Sequence, residues 1–414
     1  LQLKQAAEDL SSARNRVNES VSVWLPHLYL TGRSGYFNNQ PNEGSKSDSN
    51  IPTYISDAYK DLYKALMFPS DYTSYSNSGV LGLSQLLWDS GSAGAAILLA
   101  EQSYDAAVLE YISRKQELQL NAYKQYLELI SAVSNLNLNA AYIAFLEKKQ
   151  KAKNNLLKNL EISGQQYEED SLSLEVKKME NKNCALELNK KKRTLRQLLQ
   201  STQDIQISFD VLGTIPTVNG NIDQVANTAV NNSLELNKLR LKCDTLITEI
   251  HQAQSQTNPS VMFNIQREMK KNQENYQNSW KEFDSSTTAW FEFSWNFYDG
   301  GAAGSKAAAI MNRLESVRLS IKQLAHKVSD DARYYCQELE ILSCQLELVN
   351  KKVQLKQKSL DSAREEYAHH NIAELEYAEK EYELKTAQNE ETSIKTKILT
   401  VRAEIASMTG DSTW

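Results

Sequence analysis

The feature that most constrains the fold is the absence of helix breakers from two long stretches of the chain. Neither Gly nor Pro occurs in residues 95–163 or in residues 305–368. Because these two residue types punctuate secondary structure most strongly, each stretch predicts one uninterrupted helix. At 1.5 Å per residue, each helix would be roughly 100 Å long. The whole chain of 414 residues contains only 14 Gly and 6 Pro, so its other elements are expected to be long as well.

The second of these stretches carries an apolar pattern that steps alternately by three and four residues. One extra step of four, from Val328 to Ala332, interrupts the alternation. This pattern predicts a coiled-coil seam with one local phase adjustment. The seam positions are Ala307, Ile310, Leu314, Val317, Ile321, Leu324, Val328, Ala332, Tyr335, Leu339, Leu342, Leu346 and Val349. Asp89 and Asp299 precede the two long helices, where a carboxylate can accept hydrogen bonds from free amides and favour the positive helix end.

The chain also resembles itself. Residues 1–26 match residues 234–259 at an offset of 233, with Leu at the start and Pro at the end of each copy. Residues 88–91 (Trp-Asp-Ser-Gly) match residues 298–301 (Tyr-Asp-Gly-Gly) at an offset of 210. A third match places Tyr167 against Tyr367. Internal similarity of this kind indicates a tandem repeat, in which each half reads helix, strand, loop, strand, very long helix, tip and returning helix.

These matches predict three regions. The first repeat comprises residues 1–200, with strands at about 22–32 and 79–88 and long helices at about 92–168 and 172–200. An equatorial segment follows at residues 201–233 and includes the strand-like residues 205–209. The second repeat comprises residues 234–414, with strands at about 259–268 and 287–298 and long helices at about 301–368 and 372–408.

The strand predictions rest on alternation of apolar and polar residues. Phe291, Phe293, Trp295 and Phe297 share one face of a strand, while Glu292 and its even-numbered neighbours share the other. An aromatic face opposite a polar one suits a strand between lipid and a water-filled lumen. It suits a half-buried sheet on a soluble core equally well, and alternation alone does not decide between the two.

If the strands face lipid, four of them cannot form a stable structure alone. Their edges would leave unpaired backbone groups in hydrocarbon, each costing several kcal/mol. Copies of the chain would have to close the sheet, giving 8 strands in a dimer, 12 in a trimer or 16 in a tetramer. An eight-stranded barrel is filled by its own side chains. Twelve strands are the smallest multiple that leaves an aqueous channel, which favours a trimer.

The same residues resemble the TolC family of outer-membrane efflux and type I secretion channels. The resemblance lies in the helix-to-strand entries at Pro26 and Pro259, the turns at 88–91 and 298–301, and the tip segments 167–175 and 367–376. It implies a mainly α fold with a membrane β-barrel: a homotrimer whose 12-stranded barrel, four strands per chain, continues into a long periplasmic α-helical barrel. Residues 201–233 would lie in a belt around this tunnel, and an opening helix and a signal peptide would precede residue 1.

The resemblance also implies a function. The protein would be a passive exit duct that carries small toxic compounds or secreted polypeptides across the periplasm and outer membrane. Its partners would be a periplasmic adaptor (membrane fusion) protein, an inner-membrane transporter of the RND or ABC type, and outer-membrane lipid. A soluble or surface-associated coiled-coil scaffold is the alternative. That alternative explains the helices but leaves two equivalent pairs of aromatic strands unexplained.

Site residues follow from the family's tip pattern. Acidic residues after the turn would form the pore constriction, where three copies of each carboxylate repel one another and attract cations; the matching residues are Glu376, Glu379 and Glu175. They could equally be ordinary exposed helix glutamates. The adaptor would dock at the tips, on Tyr167, Leu172, Ser173, Tyr367, Ile372 and Ala373; a local helix-turn contact within the subunit is the alternative. Asp170 and His370 stand where the family commonly has Gly.

Other functions are disfavoured by composition. The net charge of −6 argues against a nucleic-acid partner, because phosphate binding needs a basic surface. No apolar run reaches the 18 residues of a membrane-spanning helix. His369 and His370 lack a third ligand nearby, so no metal site is expected. None of the five His shares a motif with a nucleophile, so we expect no cofactor and no enzymatic activity.

Overall fold

The computed structural model describes residues 2–39, 52, 54–60, 62–63, 72–158, 163–213, 221–273 and 278–411. The described helices are α1 (Gln2–Val21), α2 (Ser92–Lys158), α3 (Gly164–Leu199), α4 (Ile222–Asn232), α5 (Leu234–Ser255), α6 (Ala302–Ala368) and α7 (Glu374–Thr409). The described strands are β1 (His27–Asn39), β2 (Tyr72–Trp88), β3 (Ser260–Gln273) and β4 (Asp284–Ser294).

The chain divides into two compact units. One comprises Leu1–Leu10, Ala106–Lys242 and Ser316–Trp414, and we call it the helical unit. The other comprises Ser11–Asp105 and Cys243–Glu315, and we call it the sheet unit because it contains all four described strands.

The sheet unit contains one antiparallel sheet in the order β1-β2-β3-β4, so β1 and β4 are its edges. The strands are displaced from the predicted ranges. β1 begins at His27 rather than 22 and extends to Asn39, whereas residues 22–24 form a 3₁₀ helix. β2 and β3 also run further than predicted toward the hairpin ends, through rows rich in Gly, Ser and Asn. Backbone pairing continues there without apolar alternation, which is why the sequence pattern did not reveal it.

Cross-strand pairing separates two faces of the sheet. The apolar face carries large exposed side chains, of which Leu28, Leu30, Leu81, Phe291 and Phe293 are 52–77% exposed. The polar face carries residues of the opposite parity, including His27, Thr31, Gln266 and Glu292. On the polar face, the Asn264 side chain donates a hydrogen bond of 3.1 Å to Glu292. The predicted alternation of an aromatic face with a polar face is confirmed for Phe291 and Phe293, whereas Trp295 and Phe297 lie beyond the end of β4 at Ser294.

Equivalent turns connect the sheet to the long helices. Asp89 accepts hydrogen bonds from the amides of Gly91 and Ala93, and Asp299 accepts them from Gly301 and Ala303. The predicted capping role of both aspartates is therefore confirmed. Hydrogen bonds from the backbone amides, above all that of Ala303, hold the pKa of Asp299 below its usual value. Gly91, Gly300 and Gly301 have φ of 93°, 71° and 84°, a region that L side chains rarely adopt.

The long helices form two pairs of equal size. α2 and α6 each contain 67 residues, and α3 and α7 each contain 36. All four boundaries lie 210 positions apart: 92 and 302, 158 and 368, 164 and 374, 199 and 409. The first helix thus ends at Lys158 rather than at the predicted 168, and α3 begins at Gly164 rather than at 172.

The coiled-coil seam predicted on α6 is its buried face. Ala307, Ile310, Leu314, Val328, Ala332, Leu339 and Leu342 are at most 9% exposed. Within the helical unit, Leu339 and Leu342 pack against Ile398, Val401 and Ile405 of α7. The predicted phase adjustment at Ala332 therefore keeps one stripe of the helix facing inward.

Residues 201–213 and α4 pack on these helices. Residues 205–209 form no strand, contrary to the strand-like pattern, and Phe209 has helical dihedral angles (φ −83°, ψ −4°). Ile205 and Ile207 contact a cluster built on Leu129, Leu188 and Leu195. The amide of Ser208 donates to the Tyr126 hydroxyl at 3.1 Å, and that hydroxyl donates to the Ser208 carbonyl at 3.2 Å. Side-chain contacts and hydrogen bonds to α2 take the place of strand pairing here.

Among the described helices, α2 alone is long and apolar enough to cross a membrane by length and composition, although no such helix was expected from the sequence. Core helices of soluble proteins pass the same test, so a single helix of this kind is weak evidence for a membrane span.

Candidate functional site

The candidate site lies at the turn of the α6–α7 hairpin. α6 ends at Ala368, and α7 begins at Glu374 after a turn in which His370 has φ of 60°. His370 thus adopts the backbone conformation that favours Gly, at the position where Gly was expected from the resemblance. Ala373 caps α7 with its carbonyl, which accepts hydrogen bonds from the amides of Glu376 and Tyr377 at 3.1 and 3.2 Å.

An aromatic pair closes this turn. The rings of Tyr367 and Tyr377 stack with centroids 5.3 Å apart and an interplanar angle of 17°. The 210-residue offset of the helix boundaries pairs Tyr377, not Tyr367, with Tyr167. Indeed, the Tyr167 amide donates to Ser163 as the Tyr377 amide donates to Ala373. The predicted match between Tyr167 and Tyr367 is therefore wrong; the constant offset from the strand-to-helix turn onward would have revealed the correct one.

The predicted tip residues of the first hairpin belong to a helix rather than to a turn. Tyr167, Leu172 and Ser173 all lie within α3, which begins at Gly164. The Ser163 side chain caps this helix by accepting from the Gln166 amide at 3.3 Å. Leu172 is 62% exposed and lies about two turns into the helix. In the second hairpin, Ile372 and Ala373 do lie in the turn, and Ile372 is half-buried.

The three predicted constriction residues are all exposed. Glu376 and Glu379 lie in the first two turns of α7, directly after the turn. Glu175 lies in the fourth turn of α3 and is not equivalent to them, because the offset of 210 aligns Glu379 with Glu169. The structure therefore brings Glu376 and Glu379 to one hairpin tip and leaves Glu175 further along its own helix.

Glu376 and Glu379 begin a row of glutamates along one face of α7 that continues through Glu383 and Glu390. The latter two are neutralised by lysines of α6: Lys356 lies 2.7 Å from Glu383, and Lys352 lies 2.6 Å from Glu390. The hydrogen bond from Lys356 holds the pKa of Glu383 below its usual value. Within the described residues, neither Glu376 nor Glu379 forms an ion pair. Negative charge on this face is therefore concentrated at the tip.

A charged clamp, which sequence reasoning missed, holds the first hairpin together. Asp170 of α3 forms ion pairs with Lys153 and, at 3.5 Å, with Lys149, both of α2. The hydrogen bond from Lys153, together with the charge of Lys149, holds the pKa of Asp170 below its usual value. Lys149 and Lys153 are four residues apart on one helix face, a spacing that could have indicated a shared acidic partner.

Metal binding has no structural support in the described part of the chain, where no group of three or more His, Cys, Asp or Glu side chains could hold an ion. His369 and His370 are both exposed.

Comparison with known proteins identifies the fold. No protein-family model and no curated protein matches the sequence. The CmeC outer membrane channel of Campylobacter jejuni has a TM-score of 0.76 at 11% identity, covering 99% of this chain and 82% of its own. The open state of the MtrE outer membrane channel of Neisseria gonorrhoeae scores 0.70 at 14% identity, covering 99% and 85%. The outer membrane protein VceC of Vibrio cholerae scores 0.69 at 12% identity, covering 98% and 92%.

These likenesses extend over nearly the whole chain. The protein therefore has the TolC-like fold of outer-membrane channels, mainly helical with four antiparallel strands per chain, as the sequence resemblance implied. At identities of 11–14%, the likeness defines the fold and leaves the activity to be argued from the residues.

Proposed function

We propose that three copies of this chain form a passive exit duct in the bacterial outer membrane that extends into the periplasm. The observation that carries the proposal is the open four-stranded sheet, which has one apolar and one polar face. Leu28 and Leu30 on β1 are 75% and 77% exposed, and Phe291 on β4 is 70% exposed. Side chains of this size on both edge strands suit contact with lipid, while the polar face suits a wet lumen.

The sheet edges give the second argument. β1 and β4 each pair on one side only within the described residues. In hydrocarbon the free edges would leave backbone groups unsatisfied, so the sheet must close on other copies. Twelve strands from three chains give the smallest barrel of this series with an aqueous channel.

The helical unit supplies a third argument for self-association. Tyr334, Ile341, Leu348 and Leu355 of α6 recur every seven residues and are 59–67% exposed. We call them the α6 row. A matching row on α3 comprises Val176, Met179 and Leu186, which are 48–67% exposed. Heptad spacing of this kind is typical of helices that pack against other helices. We infer that the α6 row of one copy packs against the α3 row of the next.

Glu376 and Glu379 are our candidates for the pore constriction. Three copies would bring six carboxylates without lysine partners around one axis. Their mutual repulsion favours opening, and their charge attracts cations. The pairing of Glu383 and Glu390 with lysines supports this assignment, because the same helix face is neutralised elsewhere.

We further propose that the hairpin tips dock a periplasmic adaptor protein. Ile372 and Ala373 lie in the turn of the α6–α7 hairpin. Leu172 extends the α3 row toward the start of α3. Apolar and small side chains at helix ends suit packing by a partner hairpin. Through this adaptor, an inner-membrane transporter of the RND or ABC type would drive export of small toxic compounds or polypeptides.

Fractionation and electrical recording test the proposal together. The protein should require detergent for extraction from outer membranes and should conduct ions in planar bilayers. A protein that is recovered in the soluble fraction and leaves bilayers electrically silent would favour the coiled-coil scaffold instead.

A further inference from the structure

The apolar face of the sheet changes character near the hairpin ends of β1 to β4. Three successive rows cross the sheet there. The first row contains Leu30, Leu81 and Arg267, the second row contains Gly32, Gly79 and Met269, and the third row contains Ser34, Asn77 and Lys271. Two cations of β3 thus lie on the same face as the large apolar side chains, with Met269 between them.

A segment beyond β3 covers part of these rows. Trp280 and Phe283, whose rings meet edge to face with centroids 6.5 Å apart, line a groove of about 400 Å³ together with Met269. The glycine row provides a floor without side chains. Asn77, also in the lining, is only 2% exposed, while Trp280 remains 51% exposed. The groove therefore joins a flat apolar floor to an exposed aromatic roof.

The charges beside this groove are unbalanced. Arg267 is exposed, and Lys271 is half-buried. Within the described residues, neither forms an ion pair. Their backbones are about 13 Å apart along the strand, four residues at about 3.3 Å each. On the paired strands the nearby acidic residues, Glu268 and Asp284, belong to the polar face. In the covering segment, Glu282 is adjacent in sequence to Lys281, and the two formal charges cancel.

A cation on the lipid-facing side of a barrel is unfavourable at mid-membrane by about 2–4 kcal/mol and nearly neutral close to the interface. Intramembrane charges therefore point to a functional partner. Phosphate is the partner that Arg and Lys recognise best from this position, because it supplies several strong acceptor oxygens.

We propose that this groove binds a phosphorylated, acylated glycolipid of the outer leaflet. Arg267 and Lys271 hold two phosphates of one headgroup, and Trp280, Phe283 and Met269 contact its acyl chains. This inference rests on the proposed outer-membrane location, which places the hairpin ends of the strands at the outer leaflet.

The test compares two double variants that each remove two cations. Arg267→Gln with Lys271→Gln changes the apolar face, whereas the control, Lys270→Gln with Lys306→Gln, removes one cation from the polar face and one from the exposed start of α6, both outside the groove. Purified full-length protein is titrated with lipid A, and separately with phosphatidylcholine, and bound lipid is counted by native mass spectrometry. At about 1 kcal/mol per cation, the first variant should bind lipid A roughly thirtyfold more weakly, with the control unchanged.

Equal lipid A binding by the two variants, or equal retention of phosphatidylcholine and lipid A by the unmodified protein, would overturn the inference. Trp280→Ala should also weaken lipid A binding while leaving both cations in place. A protein that does not enter bilayers overturns the proposed function and this inference together. A protein that conducts but shows no preference for lipid A overturns this inference alone.

Discussion

At the scale of single residues, charge and backbone conformation at the hairpin ends carry most of the functional argument. Asp170 joins α3 to Lys149 and Lys153 of α2, and His370 allows the α6–α7 turn without a glycine. Glu376 and Glu379 add negative charge beside that turn. Each of these features can be changed without altering the buried seam of the coiled coil.

The Asp170 clamp should make stability depend on pH only in acid. Its folded pKa lies below the unfolded value, so its contribution is complete above the unfolded pKa and is lost as pH falls through the folded pKa. We expect an unchanged melting temperature between pH 5 and 8 and a decrease below about pH 4. Asp170→Asn should lower the free energy of unfolding by up to about 1 kcal/mol at pH 7. The melting temperature of this variant should also fall less in acid than that of the unmodified protein. Glu169→Gln is the control, and circular dichroism at 222 nm measures both; equal melting curves for the two variants would refute the clamp.

His370→Gly should stabilise the protein, whereas His369→Gly should destabilise it. The first substitution relieves a left-handed conformation that costs a side chain about 1–2 kcal/mol, partly offset by the greater freedom of Gly in the unfolded chain. His369 is outside the set of residues with positive φ, so Gly there adds only flexibility. Thermal melts of the two variants should shift in opposite directions. A shared loss of stability would show that the turn gains nothing from Gly.

The constriction assignment predicts a change in cation block. Glu376→Gln combined with Glu379→Gln should weaken the block of conductance by divalent cations, because six carboxylates around the axis are neutralised. Glu381→Gln, at an exposed position on the same helix, is the control. Conductance of single channels titrated with Mg²⁺ gives the readout, and an unchanged block in the double variant would rule the assignment out.

At the scale of elements, the helices were easier to predict than their ends. The stretches without Gly or Pro predicted the long helices, and the apolar residues spaced alternately by three and four positions predicted the buried face of α6. Both signals extend over many helical turns. The turns were misplaced for a physical reason. α7 starts without a Gly or Pro to mark its first residue. Tyr367 and Tyr377 both flank the second turn, so the sequence alone offered two partners for Tyr167. The segment 205–209 looked like a strand because alternation shows which side chains are buried, not whether the backbone pairs.

The exposed α6 row should carry assembly. Ile341→Asp with Leu348→Asp places two charges where an apolar contact between copies is proposed, and burying a charge without a partner is strongly unfavourable. We expect at least a tenfold decrease in the trimer fraction at equal protein concentration, measured by native mass spectrometry. Ser343→Asp with Gln354→Asp adds the same charge on another exposed side of α6 and should leave assembly intact. Equal trimer fractions in both variants would show that the α6 row faces solvent.

At the scale of the whole molecule, the sequence indicates the repeat and the resemblance, whereas closure of the sheet follows only from its observed edges. Alternation in β4 could not separate a lipid-facing sheet from a half-buried one. The structure adds the strand order, which leaves β1 and β4 unpaired on one side within the described residues, and the large exposed side chains of Leu30 and Phe291 on those edges. An aqueous pore requires other copies of the chain, and it is the property on which the proposed export depends.

Native mass spectrometry of the protein extracted in detergent from outer membranes tests this closure most directly. The account predicts one dominant species with three times the mass of the chain, in which each free edge is paired with a neighbouring copy. A monomer that stays folded in buffer without detergent would contradict it, because the apolar face would then be stable in water without lipid or partner.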